Sequence, residues 1–214
     1  MFFLPIGILI FILFILFLPI LFILGYFHII TIGFEKLGFS SEATILILLL
    51  MLIGSMINIP LTKRKLVYVE ERSFFGFLRT TKLRPSGIAV NLGGAVIPIL
   101  LSIYFLTLIP LNSVLIPLIL MIISLKFLAR VVPGRGIVIP ALLPPFLALG
   151  FALIFAPDFA APCAFISGVL GTLIGGDILN LPKARKASSG LISIGGAGVF
   201  DGIFLVGIIS ALLT

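Results

Sequence analysis

From Phe2 to Leu24 the chain carries no charged side chain, and six further apolar stretches follow it. A helix that crosses a bilayer needs roughly 20 mostly apolar residues, because each residue advances it about 1.5 Å through a hydrocarbon core about 30 Å thick. Seven stretches meet this requirement: 2–26, 42–61, 87–109, 112–129, 136–156, 159–181 and 190–213. Turn formers punctuate them, with Pro110 and Asn112, Pro133 and Gly134, then Pro157 and Asp158. The first run lacks a basic leader and a clear cleavage site, so it reads as a span rather than a signal peptide. Only 10% of the 214 residues are charged, against about 25% in soluble domains. Lipid is therefore the expected solvent. The expectation is an all-α, polytopic integral membrane protein with seven transmembrane helices in one domain, residues 1–214.

The charges supply an orientation. Lys63, Arg64, Lys65, Arg72, Arg79, Lys82 and Arg84 lie between the second and third stretches. Lys126, Arg130 and Arg135 bracket the fourth connection, and Lys183, Arg185 and Lys186 the sixth. The alternate connections hold only one cation, Lys36, offset by Glu35 and Glu42. Thirteen of fourteen cations thus fall on one side, which the positive-inside rule makes cytoplasmic. The N-terminus is then cytoplasmic and the C-terminus outside, in a multi-pass protein of the plasma membrane. The formal charge of +7 follows from this topology, and no nucleic-acid partner is expected. The basic loop 62–86 reads as a juxtamembrane helix lying on anionic lipid.

With one cysteine, Cys163, and one histidine, His28, the chain can form neither an intrachain disulfide nor a cysteine- or histidine-based metal cluster. No metal and no cofactor are expected. Cys163 reads as a packing residue and His28 as an interfacial one. Of seven acids, five lie in loops or at their edges, and two remain: Asp177 in "GTLIGGDILN" and Asp201 in "GAGVFDGIF". An ionisable group in the bilayer costs roughly 2.5–3.5 kcal/mol even on lenient scales, so it is a functional candidate by default. The two acids stand on consecutive stretches joined by the basic connection at 182–189.

Glycines accompany both acids: Gly195, Gly198 and Gly202 on one stretch, Gly168, Gly171 and Gly175 on the other. Such spacing makes a groove for close helix approach. In a straight helix Asp177 points away from Gly175, so a meeting of the acids requires a bend at Gly175-Gly176. Asp177 lies six residues before Lys183 and Asp201 eleven beyond Gly190, depths of about 9 and about 16 Å. Closing that gap requires "GLISIGGAG" to be partly unwound, or the helices to be staggered. Two carboxylates close together in a low dielectric share one proton, so one can take a proton from water while the other protonates a carbonyl oxygen.

The segment Gly198-Val199-Phe200-Asp201-Gly202-Ile203-Phe204 resembles the GxGD segment of presenilin-type intramembrane aspartyl proteases. Asp177 holds the position of that family's other aspartate. "PAL" at Pro140-Ala141-Leu142 resembles its Pro-Ala-Leu motif. Phe200 stands where the motif has its second glycine, Gly176 stands where a tyrosine is usual, and the Pro-Ala-Leu string precedes the acids instead of following them. The chain as a whole also resembles an uncharacterised prokaryotic family of integral membrane proteins of unknown function. The first resemblance implies an intramembrane aspartyl endopeptidase that hydrolyses transmembrane peptide or protein substrates with Asp177 and Asp201. Gly198, Phe200, Pro140, Ala141 and Leu142 would then contact substrate. Two alternatives remain open: a proton- or cation-coupled transporter using the same aspartates, with Asn58 and Asn91 as further polar groups, and a non-catalytic membrane scaffold. The oligomeric state is open as well.

Overall fold

The computed structural model describes residues 15–19, 25, 28, 31, 34–35, 37–62, 65–72, 79–132, 136–187 and 190–196, with backbone alone at 65–72 and 79–85. The 2–26 stretch is described only at residues 15–19 and 25, and the last stretch only to residue 196.

The helices with described bounds are α1 (Ser41–Gly54), α2 (Ile97–Leu106), α3 (Leu111–Leu128), α4 (Leu143–Phe155), α5 (Ala160–Gly171) and α6 (Leu181–Ala187). A π-helical turn, Leu92–Val96, leads into α2. The stretch from α5 to α6 is continuous through a π-helix, Thr172–Asp177, and a 3₁₀ turn, Ile178–Asn180. Turn chemistry sets several ends. Ser40 caps α1, its hydroxyl accepting from the Ala43 amide at 3.2 Å. Pro110 precedes α3, and Pro157 opens the turn into α5, both where the sequence placed a break.

The helix α5 is the core of the bundle. Cys163, Ala164, Phe165, Ile166, Ser167, Gly168 and Val169 are all buried, against α2, α3 and α4. A helix buried on every side has no polar face to show. The outer helices reverse the pattern of a water-soluble protein. Leu46, Ile53, Leu100, Ile119, Phe146 and Ile154 are exposed, while the polar Thr44, Ser102, Ser167 and Thr172 are buried, each hydroxyl donating to a carbonyl of its own or the preceding turn. Among the described residues two helices are long and apolar enough to cross a membrane, Leu111–Leu128 and the 31-residue Pro157–Ala187. They run parallel, because their partners rise in step: Cys163 Sγ donates to the Ser113 carbonyl, Gly171 faces Met121, and Gly175 faces Ile122.

The described protein is mostly helical, but the expectation of an all-α fold needs correction. The strands are β1 (Asn58–Pro60), β2 (Lys65–Arg72), β3 (Arg79–Asn91), β4 (Arg130–Val132), β5 (Gly136–Val138) and β6 (Leu191–Ile194). β3 is the long strand. Its first part pairs antiparallel with β2, from Arg79↔Arg72 to Ser86↔Lys65. Its last part pairs with β1 on the same edge, Ala89↔Pro60 to Asn91↔Asn58. Along the other edge β6 runs parallel, Gly87↔Leu191 to Val90↔Ile194. β4 and β5 form a separate hairpin.

The basic loop 62–86 is therefore a β-hairpin and not a juxtamembrane helix. Its β-branched and aromatic run Val67-Tyr68-Val69 and the Thr80-Thr81 pair suit a pleated strand better than a helix. Four expected spans shrink for the same reason. The 42–61 stretch is helical only to Gly54, and 87–109 becomes helical only at Leu92. The 136–156 stretch opens with β5, and 190–213 opens with β6. α1, α2 and α4 have 14, 10 and 13 residues, the residues at one end being taken up by strand pairing.

Candidate functional site

The sequence contains three Gly-Gly pairs, at 93–94, 175–176 and 195–196, and the fold brings them to one end of the bundle. Each makes an approach that a Cβ would obstruct. A Cβ on Gly93 would stand 2.0 Å from the Met51 carbonyl oxygen and one on Gly175 2.3 Å from that of Ile122. A Cβ on Gly94 would stand 2.0 Å from the Gly195 carbonyl oxygen, and one on Gly195 2.6 Å from that of Gly94. Gly195 also has φ of +68°, a left-handed conformation that glycine adopts without steric penalty. It turns the chain out of β6.

Asp177 is seated in this junction. Its Oδ2 accepts from the Gly195 amide at 2.7 Å, a charge-assisted bond if the carboxylate is ionised. Its side chain reaches Gly195 because the preceding turn is π-helical: hydrogen bonds that close one residue late rotate the phase of the residues beyond them. Where the sequence called for a bend at Gly175-Gly176, the chain has a π-helix, Thr172–Asp177, within a continuous helical run. The partial unwinding expected of "GLISIGGAG" is present, since Leu191–Ile194 is extended strand rather than helix.

A π-turn followed by a 3₁₀ turn disturbs the carbonyl ladder, and Asn180 repairs it. This side chain is 2% exposed. Its Nδ2 donates to the carbonyls of Gly175 and Gly176, both at 3.0 Å, and to that of Lys126 at 3.3 Å. The one amide supports the turn that presents Asp177 and ties it to the end of α3. Sequence reasoning did not single out Asn180; its signal was an asparagine four residues after the Gly175-Gly176 pair in an apolar run.

Beside Gly94 and Gly195 lies a polar cluster. Asn91, 3% exposed, accepts from the Gly94 amide at 2.7 Å and caps the π-turn. Its Nδ2 donates to the Ser55 carbonyl at 2.7 Å and to Asn58 Oδ1 at 3.2 Å. The Ser193 hydroxyl donates to the same Asn58 oxygen. Asn58 and Asn91 therefore stitch β1, β3 and β6 together and hold the junction in which Asp177 sits.

The remaining expected site residues divide. Pro140, Ala141 and Leu142 are exposed in the turn before α4, closed by Leu143 N–H to the Pro140 carbonyl at 3.0 Å. The residue just before them, Ile139, packs its Cδ1 where a Cβ on Gly176 would lie, 2.5 Å away. The fold thus brings the approach to this turn beside the residue that precedes Asp177, although no described contact joins the three residues to Asp177 itself. Asp201, Gly198 and Phe200 lie outside the described residues. Cys163 is fully buried, as a packing residue would be, and His28 is exposed. Among the described residues no group of three or more histidine, cysteine or acidic side chains is placed to hold a metal ion.

Residues 52–213 match a family model described as "Protein of unknown function (DUF1614)". No curated protein and no solved structure matches the chain.

Proposed function

The chain belongs to the DUF1614 family, and on that premise and the geometry around Asp177 we propose that it is an intramembrane aspartyl protease-like protein acting on transmembrane peptide or protein substrates. The observation that carries this reading is the 2.7 Å bond from the Gly195 amide to Asp177. It anchors the segment that leads to Asp201, six residues on, directly on the first acid. The extended Leu191–Ile194 segment and the π-turn at Asp177 support this reading as departures from straight helix beside the first acid.

In this mechanism one carboxylate takes a proton from water as its oxygen attacks the peptide carbonyl. The other, protonated, gives its proton to the carbonyl oxygen. Collapse of the tetrahedral intermediate breaks the C–N bond, with a proton passing to the leaving amine, and yields one acid and one amine. The Gly195 amide fixes the orientation of the Asp177 carboxyl, the positioning that such a proton transfer needs.

The same reading keeps seven spans in the plasma membrane. The sheet, the Asp177 junction and every cation but Lys36 lie toward the cytoplasm, and Glu42 and Asp158 lie outside. A cation- or proton-coupled carrier is the second reading. It draws on the interrupted helices and the Asn58–Asn91–Ser193 cluster beside a carboxylate, a construction that carriers also use.

Cleavage of a transmembrane reporter by the purified protein in vesicles tests the first reading. Asp177→Asn or Asp201→Asn alone is expected to abolish cleavage, and retention of full cleavage by either variant would sink it. A wild type that cleaves nothing but shows substrate-dependent proton or cation flux, lost in both variants, would establish the carrier instead.

A further inference from the structure

Where α3 ends and α6 begins, two connections far apart in sequence form one basic shelf. α6 packs against both strands of the β4–β5 hairpin, and Asn180, just before α6, donates to the Lys126 carbonyl at the end of α3. This arrangement gathers Lys126, Arg130, Lys183, Arg185 and Lys186, all exposed. Glu42 and Asp158 stand at the starts of α1 and of the turn into α5, at the other end of these helices. The nearest described acid along the chain, Asp177, has its carboxylate on the Gly195 amide. The shelf therefore presents positive charge with no described acidic side chain among its cations.

Its neighbours are equally specific. Phe127, next to Lys126, is 79% exposed, and Ile178 and Leu179, just before α6, are 46% and 41% exposed. Cations rimmed by large apolar side chains match a surface that is anionic at one level and hydrocarbon at the next. A nucleic acid offers phosphates without that apolar layer. Lys126 closes a helix long and apolar enough to cross a membrane, so the shelf lies where that helix leaves hydrocarbon.

We propose that the shelf formed by Lys126, Arg130, Lys183, Arg185 and Lys186 is a docking site for the headgroups of anionic phospholipids, with Phe127, Ile178 and Leu179 set against the acyl chains below. The proposal depends on the charges and the apolar rim alone, so it stands whether or not Asp177 is catalytic.

The test uses the full chain in vesicles of one part phosphatidylglycerol to three parts phosphatidylcholine, with spin-labelled or photoactivatable versions of each lipid. Wild type is expected to associate preferentially with the anionic probe, and the photolabel to map to 126–130 and 178–187. Lys183→Gln/Arg185→Gln/Lys186→Gln is expected to lower that preference by at least about tenfold. Lys82→Gln/Arg84→Gln, which removes two cations of the β2–β3 hairpin instead, is expected to leave the labelling of the shelf intact. Equal association of wild type with both lipids overturns the proposal, and so does labelling confined to other segments. If the triple variant does not fold, the wild-type preference and the photolabel map decide by themselves. A single-stranded oligonucleotide that displaces the anionic lipid from the shelf would assign the surface to nucleic acid.

Discussion

At Gly195 two independent constraints coincide: φ of +68° and a backbone contact with Gly94 that leaves no room for a Cβ. Gly195→Ala would incur a left-handed backbone cost of about 1–2 kcal/mol and would also push β6 away from the π-turn at Gly94. The expected result is a loss of roughly 2 kcal/mol or more in reversible unfolding measured in mixed micelles. Gly150 supplies the contrast, since a Cβ there meets nothing within 4 Å. Gly150→Ala on α4 is expected to leave stability unchanged or raise it by up to about 1 kcal/mol. If both substitutions have the same effect, the close approach at Gly195 is not what holds this junction. The residue pattern alone marked Gly195 as part of a groove for a neighbouring helix; the neighbour is instead the glycine turn at 93–94.

At the level of the element, the π-helix Thr172–Asp177 is the feature on which the candidate site turns. Such turns persist where the surroundings satisfy the carbonyls they disturb, and here Asn180 does so for Gly175 and Gly176. Asn180→Leu keeps the volume similar but removes the donor, leaving buried carbonyls without it at a cost of about 1–3 kcal/mol. Amide hydrogen exchange over 172–180 is expected to quicken in that variant, while exchange within 111–120 of α3 stays as in wild type. Unchanged exchange over 172–180 would show that the π-turn stands without its side-chain support. A departure from regular α-helix near Gly175-Gly176 was legible from the phase between Gly175 and Asp177. Its form as a π-turn held by an asparagine was not, because helical spacing carries no trace of which carbonyls lose their partners. Strands β1, β3 and β6 were likewise hidden. Each is short where it meets the others and lies next to a helical run of the same apolar composition, so a hydropathy window merges strand and helix.

Over the molecule as a whole, the described cations and the sheet gather at one end of the bundle, and Glu42 and Asp158 at the other. Cysteine substitutions in a Cys163→Ser background read the orientation directly. Arg130→Cys and Lys186→Cys are expected to react with an impermeant maleimide only when the cytoplasmic face is opened, and Asp158→Cys in intact cells. The reverse pattern would overturn the orientation proposed for the Asp177 junction. The central helix α5 is flanked by α2, α3 and α4 and carries small residues where its neighbours cross, as at Gly171 against Met121. Gly171→Leu is expected to separate α5 from α3 and to lower the unfolding midpoint markedly, because its Cβ alone would stand 2.5 Å from that of Met121.

By itself the sequence determined the apolar character of the helices, the helix breaks at Pro110 and Pro157, the segregation of charge and the isolation of Asp177 as an acid in an apolar run. All of these arise from composition or from neighbours along the chain, where each residue's preference acts locally. Tertiary structure alone decided that Asn91 would meet Asn58 and Ser193, that Lys126 would share an amide with Gly175 and Gly176, and that Gly195 would bind Asp177. These contacts join residues on different strands and helices. They exist because three glycine pairs let backbones approach more closely than any side chain would permit, and that closeness is a property of partners the chain brings together only when folded.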